Sequence, residues 1–168
     1  PTEKDTIALK AAGYYAQWGA GYSKQQATRP QTLGYGLVDS PVGQAAWVIE
    51  KFYEWTDCQG DPESVLTRQE LIDNVMFYWL GGNGASSARL YWESFGTAFS
   101  GAGATVEVPT GCSIFPKEIV PAPRSWAEKL YTNIVYWNEL DKGGHFAAFE
   151  QPDLYIIEVR KCFGHMSL

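Results

Sequence analysis

The residues best suited to do chemistry in this sequence lie in Lys142-Gly143-Gly144-His145-Phe146-Ala147-Ala148-Phe149-Glu150-Gln151-Pro152. Here a histidine stands on a glycine-rich turn, after a predicted strand and before a predicted helix. Two glycines let the backbone turn tightly, so the imidazole projects from the C-terminal end of the strand, where α/β sheets place their sites. Imidazole can take a proton from water near neutral pH, and a partnered carboxylate stabilises the imidazolium that results. Asp141 is close in sequence but falls on the same turn, which leaves it a distant second as a partner. His165 lies beside the C-terminus and is given no role. Cys58, Cys112 and Cys162 are far apart, show no CxxC spacing, and are joined by too few histidines for a zinc site. Reduced structural thiols in a cytoplasmic setting are the expectation.

The elements that would position this histidine change character along the chain. The first hundred residues read as helices. Thr2-x-x-Asp5 is a capping start for a segment running to about Trp18, with Ile7, Leu9, Ala11, Ala12, Tyr14 and Tyr15 suited to a half-buried helix. Asp39-Ser40-Pro41 places a capping residue before a proline fit for a first helical turn. Ala45, Ala46, Val48, Ile49, Phe52 and Tyr53 follow at helical spacing. Thr67-x-x-Glu70 opens a third helix through Leu71, Ile72, Val75, Met76 and Trp79, which Gly81-Gly82-Asn83-Gly84 ends. Ser86 or Ser87 can cap a fourth, through Leu90, Tyr91 and Phe95.

After Gly101-Ala102-Gly103 the pattern becomes β-α-β-α. Residues 105–108 read as a strand, 125–131 as a helix, 133–137 as a second, buried strand, and 152–163 as an amphipathic helix with Asp153 in its first turn. A crossover joining two strands makes a parallel pair, and parallel sheets are normally covered on both faces. Two strands alone are too few to be stable, so another segment or another chain is expected to complete the sheet.

Composition removes several classes of partner. Hydrophobic residues make up 45% of 168, so the chain is globular. A formal net charge of −6 with no Lys/Arg cluster argues against nucleic acid and anionic membrane surfaces. The longest uncharged stretch, residues 74–88, carries glycines, asparagines and serines and is not a membrane span. Seven Trp, ten Tyr and eight Phe suit a deep core or an apolar pocket. Trp18, Trp47, Trp55, Phe77, Trp79 and Trp92 are expected to serve as core or pocket lining, core being favoured. The start Pro1-Thr2-Glu3-Lys4 has neither an initiator Met nor a signal peptide, which points to a fragment or a processed chain.

The histidine segment closely resembles the histidine motif of epoxide hydrolases of the α/β-hydrolase fold, in particular the microsomal and juvenile-hormone group and its bacterial relatives. Tyr35-Gly36-Leu37-Val38-Asp39-Ser40-Pro41-Val42-Gly43, Asn74-Val75-Met76-Phe77-Tyr78-Trp79, Val108-Pro109-Thr110-Gly111 and Phe115-Pro116-Lys117-Glu118 resemble family segments in the family's order. The resemblance implies an α/β class: the C-terminal part of an α/β-hydrolase fold, with residues 1–100 a helical lid and residues 101–168 a β-α-β-α part of the core. It implies conversion of a small apolar epoxide to a vicinal diol through an alkyl-enzyme ester, without cofactor or metal. By the same resemblance His145 is the water-activating base, Glu118 its orienting acid, and Tyr22 and Tyr91 the pair that protonates the epoxide oxygen. An alkoxide leaving group is strongly basic, so a nearby phenol lowers the barrier as charge develops.

The nucleophilic aspartate of the family has no counterpart within these residues. Gly81-Gly82-Asn83-Gly84 follows a helix and offers an amide where a carboxylate is needed, and Asp39 precedes a helix rather than following a strand. The expectation is therefore an epoxide hydrolase completed by its N-terminal half or by a second copy. The alternative is an inactive fragment that binds hydrophobic ligands or self-assembles. Dehalogenation, a third possibility, fits the tyrosine pair poorly, because a halide needs no proton donor.

Overall fold

The computed structural model describes residues 1–98 and 105–165. Six α-helices come first: α1 Glu3–Tyr14, α2 Gly21–Thr28, α3 Pro30–Asp39, α4 Pro41–Trp55, α5 Arg68–Trp79 and α6 Gly84–Ala98. Strand β1 Thr110–Ile114, the short helix α7 Arg124–Ala127, strand β2 Ile134–Glu139, the short helix α8 Ala147–Glu150 and helix α9 Pro152–Gly164 follow.

Local signals account for many of these boundaries. Thr2 Oγ1 accepts from the Asp5 N–H while Asp5 Oδ2 accepts from the Thr2 N–H, and Thr67 and Glu70 repeat that reciprocal cap on α5. Ser40 Oγ accepts from the Gly43 N–H, with Pro41 in the first turn of α4. The expected starts of α1, α4 and α5 are therefore where the caps place them. Ser86 and Ser87 do not cap α6. Their hydroxyls donate back to Asn83 and Gly84 carbonyls inside a helix that begins at Gly84. The pair α2 and α3 was not visible as periodicity, because Gly21, Gly34, Gly36 and Pro30 interrupt the apolar pattern.

The expected strand at 105–108 is displaced. Among those residues only Val106 makes a bridge, to Tyr131, and the paired strand begins at Thr110. At Gly111 an added Cβ would collide with Cys162 Sγ, so β1 passes α9 closely where a side chain is missing. The remainder of β1 pairs in parallel with β2 as expected, Cys112 beside Trp137 and Ser113 beside Asn138. The second strand is half-buried rather than buried. The predicted helix at 125–131 is a single turn.

The chain forms two compact units. The first comprises Pro1–Tyr15, Trp55–Gln59 and Ala104–Leu168, the second Ala16–Glu54 and Gly60–Gly103. Lys4 pairs with Glu139 on β2, and the Trp55 carbonyl accepts from the His145 N–H, so two upstream segments belong with the C-terminal part.

In the first unit α9 lies on one face of the sheet. Its Glu158, 2% exposed, accepts from Ser113 Oγ at 3.1 Å, Tyr136 Oη at 2.7 Å and Asn138 Nδ2 at 2.9 Å, and pairs with Lys161 Nζ at 3.2 Å. Helix α1 buries only Ala8, while Ile7, Leu9 and Tyr14 are half-exposed, against the half-buried apolar face expected. In the second unit α3 and α6 touch so closely that a Cβ at Gly34 would strike Ala85 Cβ. Trp47, which donates to Gln26 Oε1 at 3.0 Å, is half-buried, as are Trp79 and, in the first unit, Trp55. Trp18, Phe77 and Trp92 are 71%, 78% and 58% exposed and are not core residues of this chain.

Candidate active site

Two loops meet at the C-terminal ends of the parallel strands. After β1 the chain runs through buried Phe115 to Glu118; after β2 it runs to Gly143, Gly144 and His145. A parallel bridge between Lys117 and Gly144 continues the strand pairing, with the Lys117 N–H donating to the Gly143 carbonyl at 3.1 Å. This register brings His145 Nδ1 to 2.6 Å from Glu118 Oε1. The same Oε1 accepts from the Ile119 N–H at 2.7 Å, which fixes the carboxylate.

Burial alone would raise the Glu118 carboxyl, but the hydrogen bond and charge of His145, with the Ile119 N–H, hold it below its ordinary value. The side chains of His145 and Glu118 are 39% and 33% exposed, so the pair is sheltered yet open to water. With Glu118 on Nδ1, the imidazole presents Nε2 as its free nitrogen, which is the arrangement a general base needs. The Trp55 ring stands edge-on to the imidazole at 5.4 Å and 75°, and the Phe146 ring at 5.1 Å and 73°.

The second unit brings Tyr22 of α2 and Tyr91 of α6 together. Their ring centroids are 5.7 Å apart at 76°, both residues are half-buried, and Lys51 Nζ lies 4.7 Å from the Tyr22 ring centroid. The four residues singled out in the sequence thus form two pairs, one in each unit. His165 stacks on Tyr136 at 5.5 Å. Reasoning from sequence did not single out Asp57 or Glu150, whose carboxylates bind backbone N–H groups of the histidine turn. The one available signal was Glu150 itself, an acid closing the apolar run Phe146-Ala147-Ala148-Phe149.

A parallel sheet edge whose loops carry a histidine and an acid, preceded by a helical block, defines the C-terminal part of an α/β-hydrolase fold. No protein-family model matches the chain. A Stigmatella aurantiaca protein provisionally named an epoxide hydrolase is 54% identical over 156 residues, 93% of this chain and 35% of that protein. Epoxide hydrolase 1 of Oryctolagus cuniculus is 39% identical over 86% of this chain and 34% of its own length. The crystal structure of juvenile hormone epoxide hydrolase from the silkworm Bombyx mori superposes with a TM-score of 0.84 at 34% identity, over 93% of this chain and 39% of that one. An enantioselective mutant of the Aspergillus niger epoxide hydrolase gives a TM-score of 0.85 at 28% identity, over 99% of this chain and 41% of that one. The chain is homologous to epoxide hydrolases of the α/β-hydrolase fold, and it spans little more than a third of the length of the curated relatives it matches.

Among the described residues, no helix is long and apolar enough to cross a membrane. Among the described residues no disulfide joins the three cysteines, Cys58 being buried and Cys112 and Cys162 partly so.

Proposed function

We propose that this chain is the base-bearing part of an epoxide hydrolase, in which His145 activates the water that cleaves an alkyl-enzyme ester. The observation that carries the reading is the 2.6 Å contact between His145 Nδ1 and Glu118 Oε1 at the C-terminal ends of the parallel strands. In this reading a carboxylate supplied from outside these 168 residues attacks one epoxide carbon. The ring C–O bond breaks, and Tyr22 or Tyr91 in a lid-like helical unit gives a proton to the departing oxygen. Water then attacks the ester carbonyl as its proton passes to His145, releasing a vicinal diol and restoring the carboxylate, and the imidazolium's proton returns through solvent to the tyrosinate. Glu118 stabilises the imidazolium.

The half-buried strands and the exposed Ile7 and Leu9 support completion of the sheet by a further segment. Cysteines that form no disulfide among the described residues fit the cytoplasmic setting expected of reduced thiols. The test is His145→Gln in the full-length protein, challenged with a small apolar epoxide and weighed intact. The expected product is a stable adduct one substrate mass heavier, with diol formation lost. Undiminished steady turnover by that variant would refute the assignment.

A second reading, a hydrophobic-ligand or self-assembly module, is favoured by the exposure of Trp18, Phe77, Leu80, Leu90 and Trp92 in the second unit. Diol formation by these 168 residues alone, shown by mass to be free of a second polypeptide, would contradict it.

A further inference from the structure

Three successive backbone N–H groups of the histidine turn are captured by one upstream segment and one acid. The Gly143 N–H donates to Asp57 Oδ2 at 3.1 Å, the Gly144 N–H to Glu150 Oε1 at 2.9 Å, and the His145 N–H to the Trp55 carbonyl at 2.8 Å. The other oxygen of Glu150 accepts from the Asp57 N–H at 2.8 Å, so this carboxylate ties the two segments to each other. Glu150 is 6% exposed and Gly144 is buried. A carboxylate is expensive to bury unless hydrogen-bonded donors replace its water, and both of its oxygens here have one.

The fit leaves no slack. Gly143 sits at φ +100, open to glycine, and an added Cβ at Gly144 would strike the Trp55 carbonyl oxygen. Trp55 also supplies the ring that stands edge-on to the imidazole.

We propose that Asp57 and Glu150 are positioning residues for His145, a brace that sets the angle at which its imidazole meets Glu118 on one nitrogen and water on the other. This inference rests on the reading of His145 as the ester-hydrolysing base. The brace makes no demand on the alkylation step, because it touches only the histidine turn. It acts on the second half-reaction alone, where a displacement of about 1 Å is enough to slow a step by two orders of magnitude.

The experiment compares Asp57→Ala, Asp57→Asn, Glu150→Gln and His145→Gln in the full-length protein by single-turnover kinetics with a small apolar epoxide. Ester formation and ester loss are followed separately by intact mass. Asp57→Ala and Glu150→Gln are expected to form ester within about twofold of the parent rate and to lose it about 10-fold or more slowly. Asp57→Asn keeps an oxygen for the Gly143 N–H and is expected to stay within about threefold of the parent. Histidine ¹⁵N spectra give a readout independent of turnover: the parent holds the Nδ1–H tautomer, and Asp57→Ala and Glu150→Gln mix the two. Unchanged ester loss together with an unchanged tautomer in both variants overturns the brace. If instead His145→Gln fails to trap an ester, the base assignment falls, and the spectra alone decide whether the turn is braced.

Discussion

Glu118 Oε1 lies 2.6 Å from His145 Nδ1 although the two are 27 positions apart in the chain. The contact exists because the loops after β1 and β2 leave the sheet side by side, in a register continued by the Lys117–Gly144 bridge. An acid and a base from different loops are thereby held at one sheet end without either belonging to a regular element. Four outcomes follow from this arrangement and from the packing around it.

Replacing the acid should separate orientation from proton transfer. In the full-length protein Glu118→Gln should form the ester normally and lose it about 100-fold or more slowly, read by single-turnover mass analysis. The same variant has a consequence for stability. The folded-state pKa of Glu118 is lowered, so its stabilising effect is complete above the ordinary glutamate value of about 4.3 and is lost as pH falls through the lowered one. Thermal midpoints measured from pH 6 to about 3 should therefore fall less steeply in Glu118→Gln than in the parent. Parallel curves would show that the pairing with His145 does not stabilise the fold.

The tyrosines are expected to act before the histidine. Tyr22→Phe or Tyr91→Phe alone should slow ester formation by about 10- to 100-fold, and the double variant by about 1,000-fold or more. Stopped reactions followed by mass would show unmodified protein rather than trapped ester. An accumulating ester in the double variant would mean that the phenols serve some later step.

Glu158 is the acceptor for three side chains on one sheet face and is 2% exposed. Burial pushes its carboxyl up, yet the hydrogen bonds of Asn138, Tyr136, Lys161 and Ser113 outweigh that and hold it low. Glu158→Leu leaves those donors without an acceptor and should cost on the order of 3 kcal/mol in denaturant unfolding. Because the folded-state value is depressed, the parent should lose this stabilisation as pH falls below about 4.3, and the variant should not. A Glu158→Leu protein as stable as the parent would mean that the cluster is replaceable by apolar packing.

Gly144→Ala tests the closeness of the histidine turn to the upstream segment. The new methyl meets the Trp55 carbonyl oxygen, Glu150 Oε1 at 3.0 Å and Thr56 Cα at 3.1 Å, two of them backbone atoms that cannot swing aside. A loss of about 1–3 kcal/mol is expected by denaturant titration. Gly36→Ala is the control, since nothing stands near its Cβ position, and it should be neutral or slightly stabilising.

Much of the local structure was written in short stretches of sequence. The two reciprocal caps at Thr2/Asp5 and Thr67/Glu70, the Ser40-Pro41 helix start and the glycine turn before His145 each depend on residues near one another in the chain. Interactions of that kind are chosen by local hydrogen bonding and dihedral preference, so they can be read before any fold is known. The close approach of β1 to α9 could not be read in this way, because the absence of a side chain at Gly111 matters only where α9 crosses it.

The surroundings of the candidate base were decided only by tertiary structure. Asp141 is four positions from His145, but the acid at the imidazole is Glu118, brought there by strand register. Asp57 reaches the same turn through a hydrogen bond that spans 86 positions, and Glu150, six positions from Gly144, ties Asp57 to it across 93. Sequence by itself determined which residue types could act and where the backbone must turn. Which carboxylates reach that turn follows from the packing of distant segments, because a hydrogen bond has a range of about 3 Å and chain separation says nothing about distance in space.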